Sequence, residues 1–121
     1  MEVKIYHTND IHSALHNYMK FTSFIKNKRR QYRDNMFYVD IGDHVDRSHP
    51  YTEATLGKGN VELLNQATCD VATLGNNEGI TLTQDELKHL YDDADFEVIC
   101  ANLREVGHEA PFFKPYTIKE I

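Results

Sequence analysis

The sequence predicts an α/β fold in which helices cover a mainly parallel sheet. Short apolar runs of strand length alternate along the 121 residues with longer segments of helical periodicity. The resulting order, β-α-β-α-β-α-β, is typical of parallel strands joined by helical crossovers. Each of the first three apolar runs also ends in a cluster of polar side chains. In parallel sheets, ligands gather at the carboxyl ends of the strands.

The predicted strands are the apolar runs at residues 3–8, 36–41, 70–74 and 96–103. The run "MFYVDI" is almost continuously apolar, as expected of a strand covered on both faces. The segment that follows, "EAPFFKPYTIKEI", contains two prolines and is interpreted as extended chain or loop, with a further short strand at 116–118.

Three helices are predicted at residues 13–33, 59–67 and 83 to about 91. In the first, one face at three-to-four spacing carries Leu15, Tyr18, Met19, Thr22 and Ile25. The third begins at Thr83, which is followed three residues later by Glu86 in the pattern of a capping box. The stretch "GKGN" at 57–60 lacks the spacing of a phosphate-binding loop and is interpreted as a helix entry.

The composition sets limits on partners and compartment. Thirteen Lys and Arg against nineteen Asp and Glu give a formal net charge of -6, which disfavours a broad nucleic-acid-binding surface. No run approaches the roughly 20 apolar residues of a membrane span, and no signal peptide is apparent, so we expect a cytoplasmic protein without a membrane partner. Cys69 and Cys100 lie in or beside apolar runs and are predicted to be buried free thiols.

Carboxylate, imidazole and amide side chains follow the first three predicted strands: Asp10, His12, Asp43, Asp46, Asn76 and Asn77. Neighbouring parallel strands would bring Asp10, His12, Asp43 and Asn76 close together. This oxygen and nitrogen donor set without thiolate suits Mn, Fe, Zn or Co rather than a structural zinc site. Gly42 and Gly75 would let the backbone bend tightly before the ligands.

The motifs "DIH" (10–12), "GDHVD" (42–46) and "GNNE" (75–78) resemble the first three motifs of the calcineurin-like metallophosphoesterases. The longer stretches "YHTNDIHS", "GKGNVELLN" and "DVATLGNNEGITL" resemble the bacterial 5′-nucleotidase branch, and within it a leaderless subgroup with Asn in the third motif. The resemblance runs from Ile5 to about Leu103. It implies the N-terminal half of a four-layer αββα sandwich built mainly of parallel β-α-β units.

The resemblance also implies a dinuclear metal site. Asp10 and His12 would bind the first of two divalent ions, Asp43 would bridge both, and Asn76 would bind the second. A metal-bound hydroxide would then hydrolyse a nucleotide phosphomonoester. The alternatives are hydrolysis of a cyclic or dinucleotide phosphodiester, or a degenerate module that binds metal or phosphate without catalysis.

Two positions depart from the family pattern. Where the third motif usually carries a catalytic His–Asp dyad, this sequence has Asn77 and Ile80. Asn77 can donate a hydrogen bond but cannot carry a proton. Our hypothesis is that nearby residues replace the dyad: Arg47 would hold a phosphate oxygen, and His44 or His49 would protonate the leaving group. The alternative is a solvated loop with a local Asp46–Arg47 pair.

The family's further His ligands, and the nucleotide-binding domain that usually follows them, have no counterpart in these 121 residues. We therefore expect residues 1–121 to be the N-terminal part of a metallophosphoesterase domain whose partner is the C-terminal remainder of the same protein. By itself the chain would be inactive, and one face of its sheet would be an exposed apolar patch.

Overall fold

The computed structural model describes residues 2–120, and the predicted alternation of strands and helices is confirmed there. The strands are β1 (Lys4–Thr8), β2 (Met36–Asp40), β3 (Val71–Ala72) and β4 (Glu97–Val98). The helices are α1 (Leu15–Tyr32), α2 (Pro50–Thr55), α3 (Lys58–Gln66), α4 (Asn76–Gly79) and α5 (Gln84–Leu90), and a 3₁₀ turn (Arg33–Asn35) joins α1 to β2.

All four strands are parallel and lie in the order β1-β2-β3-β4. Their register aligns the strand ends, because Thr8 pairs with Asp40 and Asp40 pairs with Ala72. The segments after the first three strands therefore leave the sheet side by side. This alignment brings together the polar clusters that are far apart in sequence.

The helices cover one face of the sheet. Sequential parallel strands joined by right-handed crossovers place every connecting helix on the same side. The core there contains Tyr18 and Ile25 of α1, and apolar residues of α3 and α5. In β2, Met36 and Tyr38 point toward these helices and are buried.

The opposite face of the sheet is open, as expected for half of a sandwich. Ile5 is 69% exposed, and Phe37 and Val39 are only partly covered. An apolar groove of about 310 Å³ runs across this face, lined by Val3, Ile5, Phe37, Val39, Val71, Ile99, Thr117 and Lys119. The sheet thus has one buried and one uncovered apolar surface.

Several predicted boundaries were wrong. The predicted strand at 96–103 contains only two ladder residues, since the chain turns away and Ile99 instead bridges Lys114. The structure forms no strand at 116–118. The helices α2 and α4, of six and four residues, were missed because they are too short to show periodicity.

Two simpler predictions agree with the structure. Thr83 caps α5, with Glu86 completing the capping box. Cys69 and Cys100 are buried free thiols, and burial raises the pKa of the Cys69 thiol to about 12. Within residues 2–120, no helix is both long and apolar enough to cross a membrane.

Candidate metal centre

The loop after β1 lies along the loop after β2 and continues the pairing of the two strands. The N–H groups of Asp10, His12 and Ser13 donate to the carbonyls of Gly42, Asp43 and His44, at 3.1, 2.9 and 3.0 Å. We call residues 9–14 the first ligand loop and residues 41–49 the second ligand loop. Their backbones form one continuous hydrogen-bonded unit, so the side chains they carry are fixed relative to each other.

The predicted ligands in these loops have left-handed backbone conformations. Asp10, His12 and Asp43 have φ angles of 54°, 48° and 56°. This region is unfavourable for side chains other than glycine, and such conformations persist only where the surrounding structure enforces them. They occur most often at functional sites, and in the two ligand loops they are adopted by the three predicted ligands and by Ser13.

Asp10, His12 and Asp43 converge on one point. Each offers a ligand atom within 4.8 Å of the other two. His12 Nε2 lies 3.4 Å from Asp10 Oδ1 and 3.8 Å from Asp43 Oδ2. The side chains of Asp10 and His12 are exposed while that of Asp43 is largely covered. The cluster is therefore open to solvent at Asp10 and His12 and covered at Asp43.

The chemistry of this cluster fits a divalent cation. Two carboxylates face the same imidazole nitrogen, and their like charges repel unless a positive charge lies between them. Carboxylate oxygen and imidazole nitrogen without sulfur are the donors favoured by Mn, Fe, Zn and Co. Asp10, His12 and Asp43 could hold such an ion.

Asn77 belongs to the same cluster. Its backbone N–H donates to Asp43 Oδ1 at 2.8 Å, and its Nδ2 donates to the Val45 carbonyl at 2.8 Å. The same Nδ2 lies 3.0 Å from His12 Nδ1. Asn76 begins α4 as an exposed residue, and its Nδ2 donates to Asn77 Oδ1 at 3.2 Å. Asn76 therefore directly precedes Asn77, which contacts both Asp43 and His12.

The two predicted glycines have distinct physical roles. A Cβ on Gly75 would overlap the Asp43 carboxylate, so only glycine lets the β3–α4 segment approach this ligand. Gly42 has a φ of 99°, and a Cβ there would overlap the backbone of Gly75. We predicted that both glycines allow tight bending of the backbone. At Gly75 the close approach of the β3–α4 segment to Asp43 is the larger constraint.

Glu78 was missed as a functional residue. It is 1% exposed, and its carboxylate accepts three backbone N–H groups, from Asp43 at 3.0 Å, Val45 at 2.8 Å and Gly75 at 2.9 Å. It therefore ties α4 to the second ligand loop. The available signal was its spacing of three residues from Gly75, which is that of a capping box.

The other residues predicted for catalysis lie outside the contacts of the cluster. His44 is 3% exposed and packs edge-on against Tyr18 with ring centroids 4.8 Å apart, and burial lowers its pKa to about 4. The Arg47 guanidinium donates to both oxygens of Glu53, at 2.6 and 2.9 Å. His49 caps α2, where its Nδ1 accepts from the Tyr51 N–H.

Asp46 lies beside His12 of the cluster, whereas Arg47 pairs with other carboxylates. Its Oδ2 lies 3.6 Å from His12 Nδ1, and its Oδ1 accepts from the hydroxyl and the N–H of Ser48. These two donors hold the pKa of the Asp46 carboxyl below its usual range. The local Asp46–Arg47 pair that the sequence suggested is replaced by the Arg47–Glu53 pair.

A buried carboxyl lies beneath the loops. Asp40 ends β2 and accepts from the Thr8 hydroxyl at 2.5 Å, and Thr8 is joined through Tyr38 to Tyr18 by hydroxyl hydrogen bonds of 2.8 and 2.7 Å. Burial raises the pKa of Asp40 to about 6, although the Thr8 hydrogen bond opposes the rise. This chain of hydroxyls links the strand ends to the helical layer.

Comparison with known proteins gives the family. The model of the calcineurin-like phosphoesterases matches residues 3–119. An uncharacterized metallophosphoesterase of Bacillus subtilis, YunD, is 45% identical over 124 residues, covering 99% of this chain and 27% of YunD. A 2′,3′-cyclic-nucleotide 2′-phosphodiesterase/3′-nucleotidase of Haemophilus influenzae is 27% identical over 144 residues, covering 99% of this chain and 21% of that protein.

A solved structure shows the same fold. The NAD nucleotidase NadN of Haemophilus influenzae superposes with a TM-score of 0.80 at 21% identity, covering 100% of this chain and 24% of NadN. The chain thus spans about a quarter of the length of the proteins it resembles. Because the family model matches nearly every residue and the ligand loops carry its motifs, this chain belongs to the calcineurin-like metallophosphoesterases.

Proposed function

We propose that this chain carries part of the metal centre of a 5′-nucleotidase-type phosphoesterase that hydrolyses nucleotide phosphomonoesters. The observation that supports this most strongly is the convergence of Asp10, His12 and Asp43 within 4.8 Å, at the aligned ends of parallel strands and in left-handed backbone. A site built from strained residues on two hydrogen-bonded loops is preorganised for a ligand.

In this proposal each ligand has a separate role. Asp10 and His12 hold the first of two divalent ions, Asp43 bridges both, and Asn76 binds the second. Such ions polarise a phosphoryl oxygen and lower the pKa of bound water. Asp43 is held from three directions by hydrogen bonds to His12, Asn77 and Glu78, so a bridging carboxylate would be fixed before a metal arrives.

Asn77 would orient the phosphate where the family has a catalytic His. Its amide contacts His12 Nδ1 and the Val45 carbonyl, which places it beside the cluster. An amide donates hydrogen bonds without transferring a proton, so protonation of the leaving group needs another residue. His44 or His49 remains our candidate for this task, although His44 would have to leave its buried position against Tyr18, and Arg47 would hold a phosphate oxygen.

We further propose that a second part of the protein supplies the remaining ligands of the second ion. The supporting observations are the uncovered apolar face of the sheet and the greater length of the relatives. On this proposal residues 1–121 are the N-terminal part of the catalytic domain, and the chain alone turns over little or no substrate.

Hydrolysis of a cyclic phosphodiester is the second candidate. It is favoured by the similarity to the Haemophilus protein described as a 2′,3′-cyclic-nucleotide phosphodiesterase and 3′-nucleotidase. Both reactions use the same metal centre, and they differ in the ester that is presented to it. A degenerate module that binds metal without turnover is the remaining alternative, because Asn77 and Ile80 replace the catalytic dyad.

The test is ester hydrolysis by the protein translated from the complete reading frame, with the 121-residue chain in parallel. Monoesters are followed by phosphate release, and cyclic nucleotides by chromatography of the nucleotide formed, because opening a cyclic phosphodiester releases no phosphate. Nucleoside monophosphates, 2′,3′-cyclic nucleotides and an aryl phosphate are each assayed with Mn, Zn, Co and Mg. We expect nucleoside monophosphates to be the best substrates. Asp43→Asn should abolish turnover, while Asp85→Asn, at an exposed position on α5, should leave turnover unchanged. Metal binding without hydrolysis of any ester would support the non-catalytic alternative.

A further inference from the structure

Three polar side chains form a closed hydrogen-bonded ring beneath the ligand loops. The Ser13 hydroxyl lies 2.8 Å from that of Thr52, the Thr52 hydroxyl donates to Asn60 Oδ1 at 2.9 Å, and Asn60 Nδ2 donates to Ser13 Oγ at 3.0 Å. They are 2%, 0% and 0% exposed. We call Ser13, Thr52 and Asn60 the buried polar ring.

The donors and acceptors of the buried polar ring are matched. The Thr52 hydroxyl donates its one proton to Asn60 Oδ1, so its oxygen accepts a hydrogen bond from the Ser13 hydroxyl. The Asn60 amide in turn donates to Ser13 Oγ. The second Nδ2 proton of Asn60 goes to the His44 carbonyl at 3.2 Å. Replacing one member therefore leaves buried polar groups without partners on the other two.

The buried polar ring contacts both ligand loops at the residues next to the metal ligands. Ser13 directly follows His12 and has a φ of 52°. Its hydroxyl accepts the Asp46 N–H at 2.7 Å. The His44 carbonyl, one residue after Asp43, accepts from both the Ser13 N–H and the Asn60 side chain. One ring thus joins the chain at His12 to the chain at Asp43.

Helices α2 and α3 supply the other two members. Thr52 lies in α2, and Asn60 lies in the first turn of α3, within the "GKGN" stretch that the sequence marked only as a helix entry. Neither residue contacts Asp10, His12 or Asp43 directly. Their contacts are with Ser13 and the His44 carbonyl, which directly follow His12 and Asp43 in the chain, where the backbone has left-handed conformations.

We propose that Ser13, Thr52 and Asn60 are positioning residues for the metal centre, a role that rests on the metal binding proposed above. The buried polar ring keeps the ligand atoms of His12 and Asp43 at a distance that one cation can bridge. Without it, the loops relax toward unstrained backbone and the ligand atoms separate. Metal affinity then falls by more than the loss of stability explains.

The test is Mn²⁺ binding to the metal-free chain, expressed within the protein translated from the complete reading frame, measured by electron paramagnetic resonance well below the melting temperature of every variant. Thr52→Val removes the hydroxyl and keeps the shape, and Asn60→Asp removes both donors and keeps the size. We expect each to weaken Mn²⁺ binding by about 10- to 100-fold, the usual effect of losing a group that orients metal ligands. Thr52→Ser keeps the hydroxyl and should restore affinity close to that of the original chain.

Asn65→Asp is the matched control. Asn65 lies on the same helix and, like Asn60, uses its side-chain amide as both donor and acceptor, donating to the Asp93 carbonyl and accepting from the Asp95 N–H, both at 2.8 Å. These contacts are remote from the ligand loops. Asn65→Asp should lower the melting temperature and leave Mn²⁺ affinity unchanged.

The possible outcomes separate the two proposals. If the original chain binds Mn²⁺ and both Thr52→Val and Asn60→Asp bind it equally well, the positioning role is wrong while the metal centre remains. If Asn65→Asp loses as much affinity as Asn60→Asp, the effect is one of general stability, and the positioning role is again wrong. If the original chain does not bind Mn²⁺, the metal centre itself is wrong and the positioning role fails with it.

Discussion

Asp43 is the residue at which the ligand loops and α4 meet. Its carbonyl accepts from His12, its N–H donates to Glu78, and its Oδ1 accepts from Asn77. The second oxygen faces His12 Nε2. The carboxylate is therefore oriented by the Asn77 N–H, and its backbone is held by His12 and Glu78, an arrangement that reduces the reorganisation needed when a cation binds.

At the residue scale, Gly75→Ala tests the close approach of the loops. The added Cβ overlaps the Asp43 carboxylate and must displace it. We expect a loss of about 1–3 kcal/mol in the free energy of unfolding from overpacking, and at least a roughly tenfold loss of Mn²⁺ affinity. Chemical denaturation and metal titration measure the two effects. Gly79→Ala at the end of α4, where a Cβ meets nothing within 4 Å, should change neither.

His44 gives a prediction about pH. Burial lowers its pKa to about 4 from an ordinary value near 6.5, and neither ring nitrogen has a hydrogen-bond partner among the described residues. The unfolded chain takes up a proton below pH 6.5 and the folded chain does not until about pH 4, so His44 costs stability as the pH falls through this window. His44→Leu removes that cost.

In metal-free buffer, the stability gained by His44→Leu should therefore increase between pH 6.5 and pH 4, by up to about 3 kcal/mol. Urea denaturation at several pH values measures it. His16→Leu, at an exposed position on α1, serves as the control and should show no such trend. A His44→Leu effect that is independent of pH would show that the imidazole is not buried as the structure has it.

At the scale of elements, Glu78 joins α4 to the second ligand loop through three backbone N–H groups. Glu78→Gln keeps the volume but replaces one acceptor oxygen with a donor that faces another donor. We expect a loss of about 1–3 kcal/mol in the free energy of unfolding, together with weaker Mn²⁺ binding. Glu62→Gln on the exposed side of α3 should have no effect. Equal stability of the two variants would contradict the anchoring role of Glu78.

The elements also show what could be predicted from the sequence. Periodicity and the capping box located the three longer helices, and the apolar runs located the strands, because both patterns extend over enough residues. The strand β4 ends after two residues because Ile99 bridges Lys114, and the four-residue α4 is held by the bonds from the Asp43 and Val45 N–H groups to Glu78. No local pattern shows these tertiary contacts.

The candidate site was predictable in part. Motif spacing indicated the candidate ligands, and the parallel sheet indicated that Asp10, His12 and Asp43 lie close together, as the structure has them. The left-handed conformations accompany the hydrogen bonds between the two loops, His44 is buried against α1, and Arg47 pairs with Glu53 of α2 and Glu86 of α5. All three features depend on tertiary packing. The sequence places these residues near one another along the chain, but it does not distinguish those that point toward the cluster from those that point away.

At the scale of the whole molecule, the open face of the sheet is the main unsatisfied surface. Apolar patches of this kind on a soluble chain mark interaction sites or lead to association. We expect the 121-residue chain to self-associate as its concentration rises, and Ile5→Lys to reduce this by placing a charge on the open face. Sedimentation velocity measures it. Val106→Lys, at an almost fully exposed position in the loop after β4, should leave association unchanged.

The central claim is that Asp10, His12 and Asp43 form a divalent-metal site. Calorimetric titration with MnCl₂ of the metal-free chain, expressed within the protein translated from the complete reading frame, tests it most directly, with Asp43→Asn as the variant and Asp85→Asn as the control of equal charge change. We predict saturable binding to the original chain and to Asp85→Asn, and its loss in Asp43→Asn. No binding to the original chain, or unchanged binding to Asp43→Asn, would contradict the assignment of this cluster as a metal centre.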